Sequence, residues 1–407
     1  MNILNRTALV RLLSIVSILF FFEGGGIHAY MPISISMFSK LAPIILCLLF
    51  LLKYQLALVN FDNHKYHIVL VIFIFIFMSL SLSRPQFGYV GLFFYLICIS
   101  YLRKPEMAFI LNLYIYMVSI LAALVVIQAF FLSISSEVTG DPHFYWFDIN
   151  SNETFYDRYE RTGILGSLGH AFELPSRILG LKVYRVYSFL AEPSVALSVF
   201  GVGSVVALVM NKRELFILIA LAGLLSLSGA FFIFVIFGFL LLFLSALTIC
   251  DQHTIFRQIC CLVIIGFVLS SILLDHSLII DYELYKNRII PSSIESDVYR
   301  ILRISSAWSL LADVVVGDVK GYGFPYGFVA SGLVYGGIVL WAGFLALIIS
   351  FSRCIVSCGG LSKVAGCFLY SLLMVVFFLS DYGFLAPRGL GILFLVFGYL
   401  HASRSDV

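Results

Sequence analysis

Apolar blocks about as long as a bilayer is thick recur along this chain, and they narrow its possible folds more than any other feature. A helix needs about 20 mostly apolar residues to cross ~30 Å of hydrocarbon. Twelve blocks fit that description: 8–30, 41–59, 66–83, 87–102, 107–134, 189–210, 214–228, 230–249, 257–274, 326–350, 364–380 and 387–402. Charged residues make up 12% of the 407-residue chain and hydrophobic ones 61%, whereas a soluble domain carries roughly 25% charge. A larger soluble core does not account for that shortfall in blocks of this length. The expected fold is an all-α polytopic integral membrane protein with about 12 transmembrane helices and two large loops.

The stretch from Leu215 to Cys250 is too long for one span and is broken at Ser226-Leu227-Ser228-Gly229, where helix-weakening residues cluster. Without that break the C-terminus changes side. The first block, Ala8 to Phe22, runs into Glu23-Gly24-Gly25-Gly26 without a clear small-residue cleavage site, and is read as a span rather than a cleaved leader. Lysine and arginine in the short joints then set the orientation. One set of ends holds twelve of the 25 basic residues, among them Arg6, Arg103, Lys104, Lys212, Arg257 and Lys363; the opposite short joints hold only Lys40, Arg84 and Arg388. The richer side is expected to be cytoplasmic, with both termini on it.

The chain is thus expected to divide into helices one to five (1–134), a first large outward loop (135–188), helices six to nine (189–274), a second large outward loop (275–325) and the last three helices (326–407). Both loops mix charges with aromatic residues, and 164–181 spaces its apolar residues as one or two short surface helices would, interrupted by Pro175. Neither loop contains any of the eight cysteines. Cys354-x-x-x-Cys358 lacks partners at zinc-site spacing. A net charge of +3 with no basic run gives no reason to expect a nucleic-acid partner.

Two stretches in these loops carry groups suited to anion chemistry. The first runs from Arg185 through Tyr187 to Glu192-Pro193-Ser194 at the mouth of the sixth span. Proline suits the first turn of a helix, where no acceptor awaits its missing N–H. Glu192 would then precede a helix start, whose dipole favours a carboxylate. An arginine at the interface can grip a phosphate with two parallel hydrogen bonds. The plainer reading is a helix start with Arg185 reaching lipid headgroups. In the second stretch, Arg300 and Arg303 share a helix face with Asp297, three residues before Arg300. Two guanidinium groups on one face suit an intervening anion, although Asp297 alone could neutralise one. Trp308 and Gly321-Tyr322-Gly323 follow, the glycines permitting close backbone approach to a ligand or simply making a turn. His170 and His276 are outward histidines able to act as bases, though a lone exposed histidine is usually just solvated. No nucleotide loop, zinc-protease motif or nucleophile elbow is present, and no chain of intramembrane carboxylates suggests proton-coupled transport.

At these two stretches the chain resembles the Wzy-type bacterial O-antigen polymerases. Arg185, Phe189 and Glu192-Pro193-Ser194 are similar to the arginine and Glu-Pro-Ser element at that family's loop-to-helix junction. Arg300, Arg303, Trp308 and Gly321-Tyr322-Gly323 are similar to its second loop. The resemblance implies a glycosyltransferase that moves a growing glycan from undecaprenyl pyrophosphate onto a new lipid-linked repeat unit, with no cofactor and no metal. It implies that Arg185, Arg300 and Arg303 meet the pyrophosphate, that Glu192, or failing it Asp297, receives the acceptor proton, and that Tyr184, Tyr187, Ser194, Trp308, Gly321, Tyr322 and Gly323 line the sugars. Its partners would be the lipid-linked oligosaccharides and the bilayer, with a chain-length regulator as a further candidate.

Two rivals stand beside this reading. An O-antigen ligase shares fold and donor but typically carries an Asn-Pro-like element where this chain has Glu192-Pro193, and a histidine after the second-loop arginines. No histidine occurs here between His276 and His401. A lipid-linked oligosaccharide flippase has a similar span count but short loops throughout.

Overall fold

The computed structural model describes residues 6–24, 33–54, 61–81, 87–139, 170–178, 181–188, 196–247, 251–273, 328–357, 361–379 and 387–402. Helices dominate these residues. They are α1 (Arg6–Gly24), α2 (Ile33–Tyr54), α3 (Phe61–Ser81), α4 (Phe87–Ser100) and α5 (Lys104–Thr139). After a β-hairpin come α6, a π-helical turn Leu197–Gly201 continuing as Val202–Val209, then α7 (Arg213–Leu225), α8 (Gly229–Leu247) and α9 (Gln252–Leu273). The last are α10 (Phe328–Ser357), α11 (Lys363–Met374, ending in a π-helical stretch Val375–Leu379) and α12 (Pro387–Ala402).

Three helical stretches among the described residues are long and apolar enough to cross a membrane: Lys104–Phe130, Gly229–Leu247 and Gly337–Val356. Seven further apolar helical stretches are shorter. The outer surface of the bundle is itself apolar, with Leu52, Ile217, Ile236, Leu247 and Leu262 all more than 60% exposed. Such side chains gain nothing from water and are at no disadvantage against lipid tails. In the interior, serines satisfy their hydroxyls locally. Ser14, Ser17, Ser100 and Ser119 each donate to the carbonyl four residues earlier. Tyr95 reaches across from α4 to Ser17 at 2.9 Å. Buried hydroxyls in an apolar bundle need such partners, because an unpaired one costs about 1–3 kcal/mol.

The bundle has two packed groups. In one, α4 packs against α2, α3 and α12, while α1 packs on α2 and α12, and α10 lies against α3. In the other, α11 packs on α8, with α6, α7 and α9 around them. Helix α5 joins the groups, touching α1 and α12 on one side and α6 and α7 on the other. Polar clasps tie helix ends together. Arg6 forks onto Glu106 with contacts of 2.6 and 2.7 Å and also donates to the Tyr101 carbonyl, so the start of α1 is latched to the α4–α5 joint. Lys363 donates to the Ser245 carbonyl at 2.6 Å, near the negative end of α8. Asp251 caps α9 by accepting from the Thr254 N–H, which together with the Thr254 hydroxyl holds its carboxyl below the usual range.

Helix ends follow local sequence. Asn211, at φ 57°, closes α6 with the Lys212 N–H on Ala207 and the Asn211 N–H on Leu208. The break expected at Ser226-Leu227-Ser228-Gly229 is present: α7 stops at Leu225, Leu227 takes φ 49°, and α8 starts at Gly229. Across this turn, a Cβ on Gly223 would stand 2.2 Å from Cζ of the wholly buried Phe231, whereas one on Gly229 meets nothing within 4 Å. Gly223→Ala should therefore cost about 1–3 kcal/mol through overpacking. Gly229→Ala should be neutral or stabilise by about 0.4–1 kcal/mol. Thermal unfolding of the two variants in detergent measures the contrast, and equal midpoints would contradict it.

The structure departs from the sequence expectations in three places. Residues 170–178, within the stretch expected to form surface helices, are instead a strand, β1, paired antiparallel with β2 (181–188). Val183, Tyr184, Val186 and Tyr187 are β-branched or aromatic and favour a pleated strand. Pro175, which cannot donate to a ladder, sits within the register shift between Glu173 and Arg177. Helix α5 continues to Thr139, into the stretch assigned to the first loop. The tenth span is not one straight helix: Gly337, at φ 60° and ψ −155°, kinks α10, and the membrane-length part starts there.

Candidate functional site

The hairpin carries the first of the two arginine-bearing stretches. Its register pairs His170 with Ser188, Ala171 with Val186, Phe172 with Arg185 and Glu173 with Tyr184. Tyr187 falls at the register shift between the His170–Ser188 and Ala171–Val186 pairs. Backbone of β2 lies along α5 and reaches α7. The strand ends at Ser188, and α6 follows after seven further residues outside the described set.

Charge on the two strands is one-sided. Arg177, Lys182 and Arg185 stand against a single carboxylate, Glu173. Arg177 and Lys182 are cross-strand partners in the backbone register.

Helix α6 contains a wide turn. Residues Leu197–Gly201 form a π-helical turn, and the Val202 N–H reaches back five residues to the Leu197 carbonyl. A π turn widens the helix by one residue, shifts the carbonyls out of the ordinary ladder and is frequent at functional sites. From α5, the Tyr114 hydroxyl donates to the Val199 carbonyl inside that turn at 3.4 Å. Tyr114 is 2% exposed and Val199 is likewise buried.

The other expected site residues divide as follows. Tyr184, Arg185 and Tyr187 lie on β2, and His170 opens β1. Glu192, Ser194, Asp297, Arg300, Arg303, Trp308, Gly321, Tyr322, Gly323 and His276 lie outside the described residues. Cys354 is buried between helices and donates to the Phe397 carbonyl at 3.5 Å; Cys358 lies outside the described residues. No group of three metal-binding side chains occurs among the described residues. Sequence reasoning missed Tyr114, the π turn and the Gly337 kink. Tyr114 has no local signal, being one more aromatic in an apolar helix. The kink has one in the Gly336-Gly337 pair.

No protein-family model, curated protein or solved structure matches this chain.

Proposed function

We propose that this chain is a membrane glycosyltransferase that polymerises lipid-linked glycan repeats, an O-antigen polymerase. The observation that carries the proposal is the basic hairpin. It holds Arg185 by a backbone ladder on a strand that lies along one apolar helix and leads in sequence to the next. A reaction whose leaving group is a lipid pyrophosphate needs cations fixed in advance at a membrane surface. The Wzy-type resemblance at Arg185, Glu192-Pro193-Ser194, Arg300 and Arg303 supports the same reading.

The chemistry balances with groups this chain supplies. A sugar hydroxyl of the incoming repeat unit attacks the anomeric carbon of the donor glycan. The bond from that carbon to the pyrophosphate oxygen breaks, and undecaprenyl pyrophosphate leaves with the electron pair. Glu192 takes the hydroxyl proton, with Asp297 as the alternative base. Arg185, Arg300 and Arg303 balance the charge that grows on the pyrophosphate. Tyr184, Tyr187, Ser194, Trp308 and Gly321-Tyr322-Gly323 contact the sugars. The site faces the periplasm of a bacterial inner membrane, with both termini in the cytoplasm.

The test is the lipopolysaccharide of a strain lacking the chain. Core carrying one repeat unit is the expected pattern. Bare core with polymer still on the lipid carrier would make the chain a ligase. Bare core with repeat units trapped on the inner leaflet would make it a flippase.

A further inference from the structure

Cys47 on α2 and Cys98 on α4 are both wholly buried, and their thiols hydrogen-bond each other. The pair lies in the packed seam between these helices. Cys98 also donates to the Pro43 carbonyl at 3.6 Å, so it meets two residues four apart on one face of α2. Three residues further along each chain segment, Phe50 stacks on Tyr101 with ring centroids 5.4 Å apart. The Tyr101 carbonyl in turn receives Arg6, whose guanidinium is forked onto Glu106. The two thiols therefore stand one turn from the clasp that ties α1 to the α4–α5 joint. Other described cysteines are placed differently. Cys354 donates to the Phe397 carbonyl, Cys367 to Gln252 and Cys260 to the Met374 sulfur, while Cys261 is exposed. None of these contacts joins two thiols.

We propose that Cys47 and Cys98 are a redox-modification site, joined as a disulfide by hydrogen peroxide, and that the bond pins α2 to α4 beside the Arg6 clasp. The site stands whether or not the chain polymerises glycan. One thiol, as its thiolate, attacks a peroxide oxygen. The O–O bond breaks, water leaves, and a sulfenic acid remains on sulfur. The second thiol attacks that sulfur and expels the hydroxyl as water, forming the S–S bond. Two thiols and one peroxide thus give one disulfide and two waters, with sulfur oxidised and peroxide oxygen reduced. Burial slows the first attack, because the thiolate is the nucleophile. It favours the product all the same. A disulfide is uncharged, whereas a sulfinate would leave a charge in an apolar seam. The partner sulfur is also already in contact, and groups held this way react with effective molarities of about 10⁵–10⁸ M. The second step therefore outruns any thiol from solution. Hydrogen peroxide is small and uncharged, so a seam that shuts out charged oxidants admits it.

The test uses the full-length protein in lipid nanodiscs. It is treated with hydrogen peroxide, unfolded in excess iodoacetamide and mapped by mass spectrometry. The expected product is a peptide pair joined through Cys47 and Cys98, two hydrogens lighter than the reduced pair and separated by dithiothreitol. Hydrogen exchange across 98–102 should slow by on the order of tenfold in the joined protein, because a crosslink suppresses local opening at the end of α4. Cys98→Ala should yield no joined peptide and leave Cys47 as its sulfenic acid or a higher oxide. Absence of the joined peptide in wild type, at a peroxide dose that oxidises the exposed Cys261, overturns the site. Joining of Cys47 to Cys260 or Cys367 as often as to Cys98 overturns it too, since that is the mark of an opened protein. Unchanged exchange in the joined protein overturns the pinning of α2 to α4.

Discussion

Arg185→Ala should collapse the long-chain glycan ladder to core plus one repeat unit while the protein still accumulates in the membrane. Arg185 lies on β2 opposite Phe172, and the ladder that fixes it there is made by backbone groups, which the substitution leaves in place. Loss of one prearranged charge-stabilising group typically lowers kcat by about 10²–10³-fold. A polymerase slowed that far loses the competition with termination at every added unit, so chain length falls more visibly than total glycan. Arg185→Lys should recover only part of the ladder, because an ammonium group lacks the planar two-donor fork that matches a phosphate. Silver-stained lipopolysaccharide, with an immunoblot of the membrane fraction alongside, separates the outcomes. A normal modal length in Arg185→Ala would remove Arg185 from the site. Full recovery in Arg185→Lys would mean that the charge acts at a distance.

Gly337→Val should destabilise the protein measurably and depress glycan polymerisation. Gly337 holds φ 60° and ψ −155°, a region that essentially only glycine occupies. Forcing a side chain into it costs on the order of 1–3 kcal/mol, and a β-branched one belongs at the upper end. The alternative for the chain is to straighten α10, which would swing Phe328–Gly336. Either outcome is visible, as a lowered unfolding midpoint in detergent or as lost activity at a near-normal midpoint. Gly266→Ala in α9, where a Cβ meets nothing within 4 Å, is the matched control and should move neither. A Gly337→Val protein indistinguishable from wild type in both would show that the kink is dispensable.

Much of the helical layout was legible because it is a matter of local hydropathy. Each apolar block read from the sequence overlaps a helix, and the joint at Ser226 to Gly229 is where polar residues interrupt the run. The same logic failed at 170–178. Its apolar spacing fits a helical stripe over part of the stretch, but Pro175 and the Val-Tyr-rich partner from 181 to 188 let a ladder form instead. Two segments had to be considered together, and a helical reading considers them one at a time. At the candidate site, Arg185 could be singled out by its charge beside an apolar block. Tyr114 could not, because its role depends on a carbonyl 85 residues away.

By itself, then, the sequence determined that this is a bundle of apolar helices, where most of them start and stop, and that two arginine-bearing stretches interrupt it. Those features follow from properties of neighbouring residues: hydropathy, capping and charge. Only the tertiary structure decided that Arg185 sits on a strand, that α6 contains a π turn contacted by Tyr114, that α10 bends at Gly337, and that Arg6 clasps Glu106. Each of these is a choice between local conformations of similar energy, and contact with another part of the chain tips the balance.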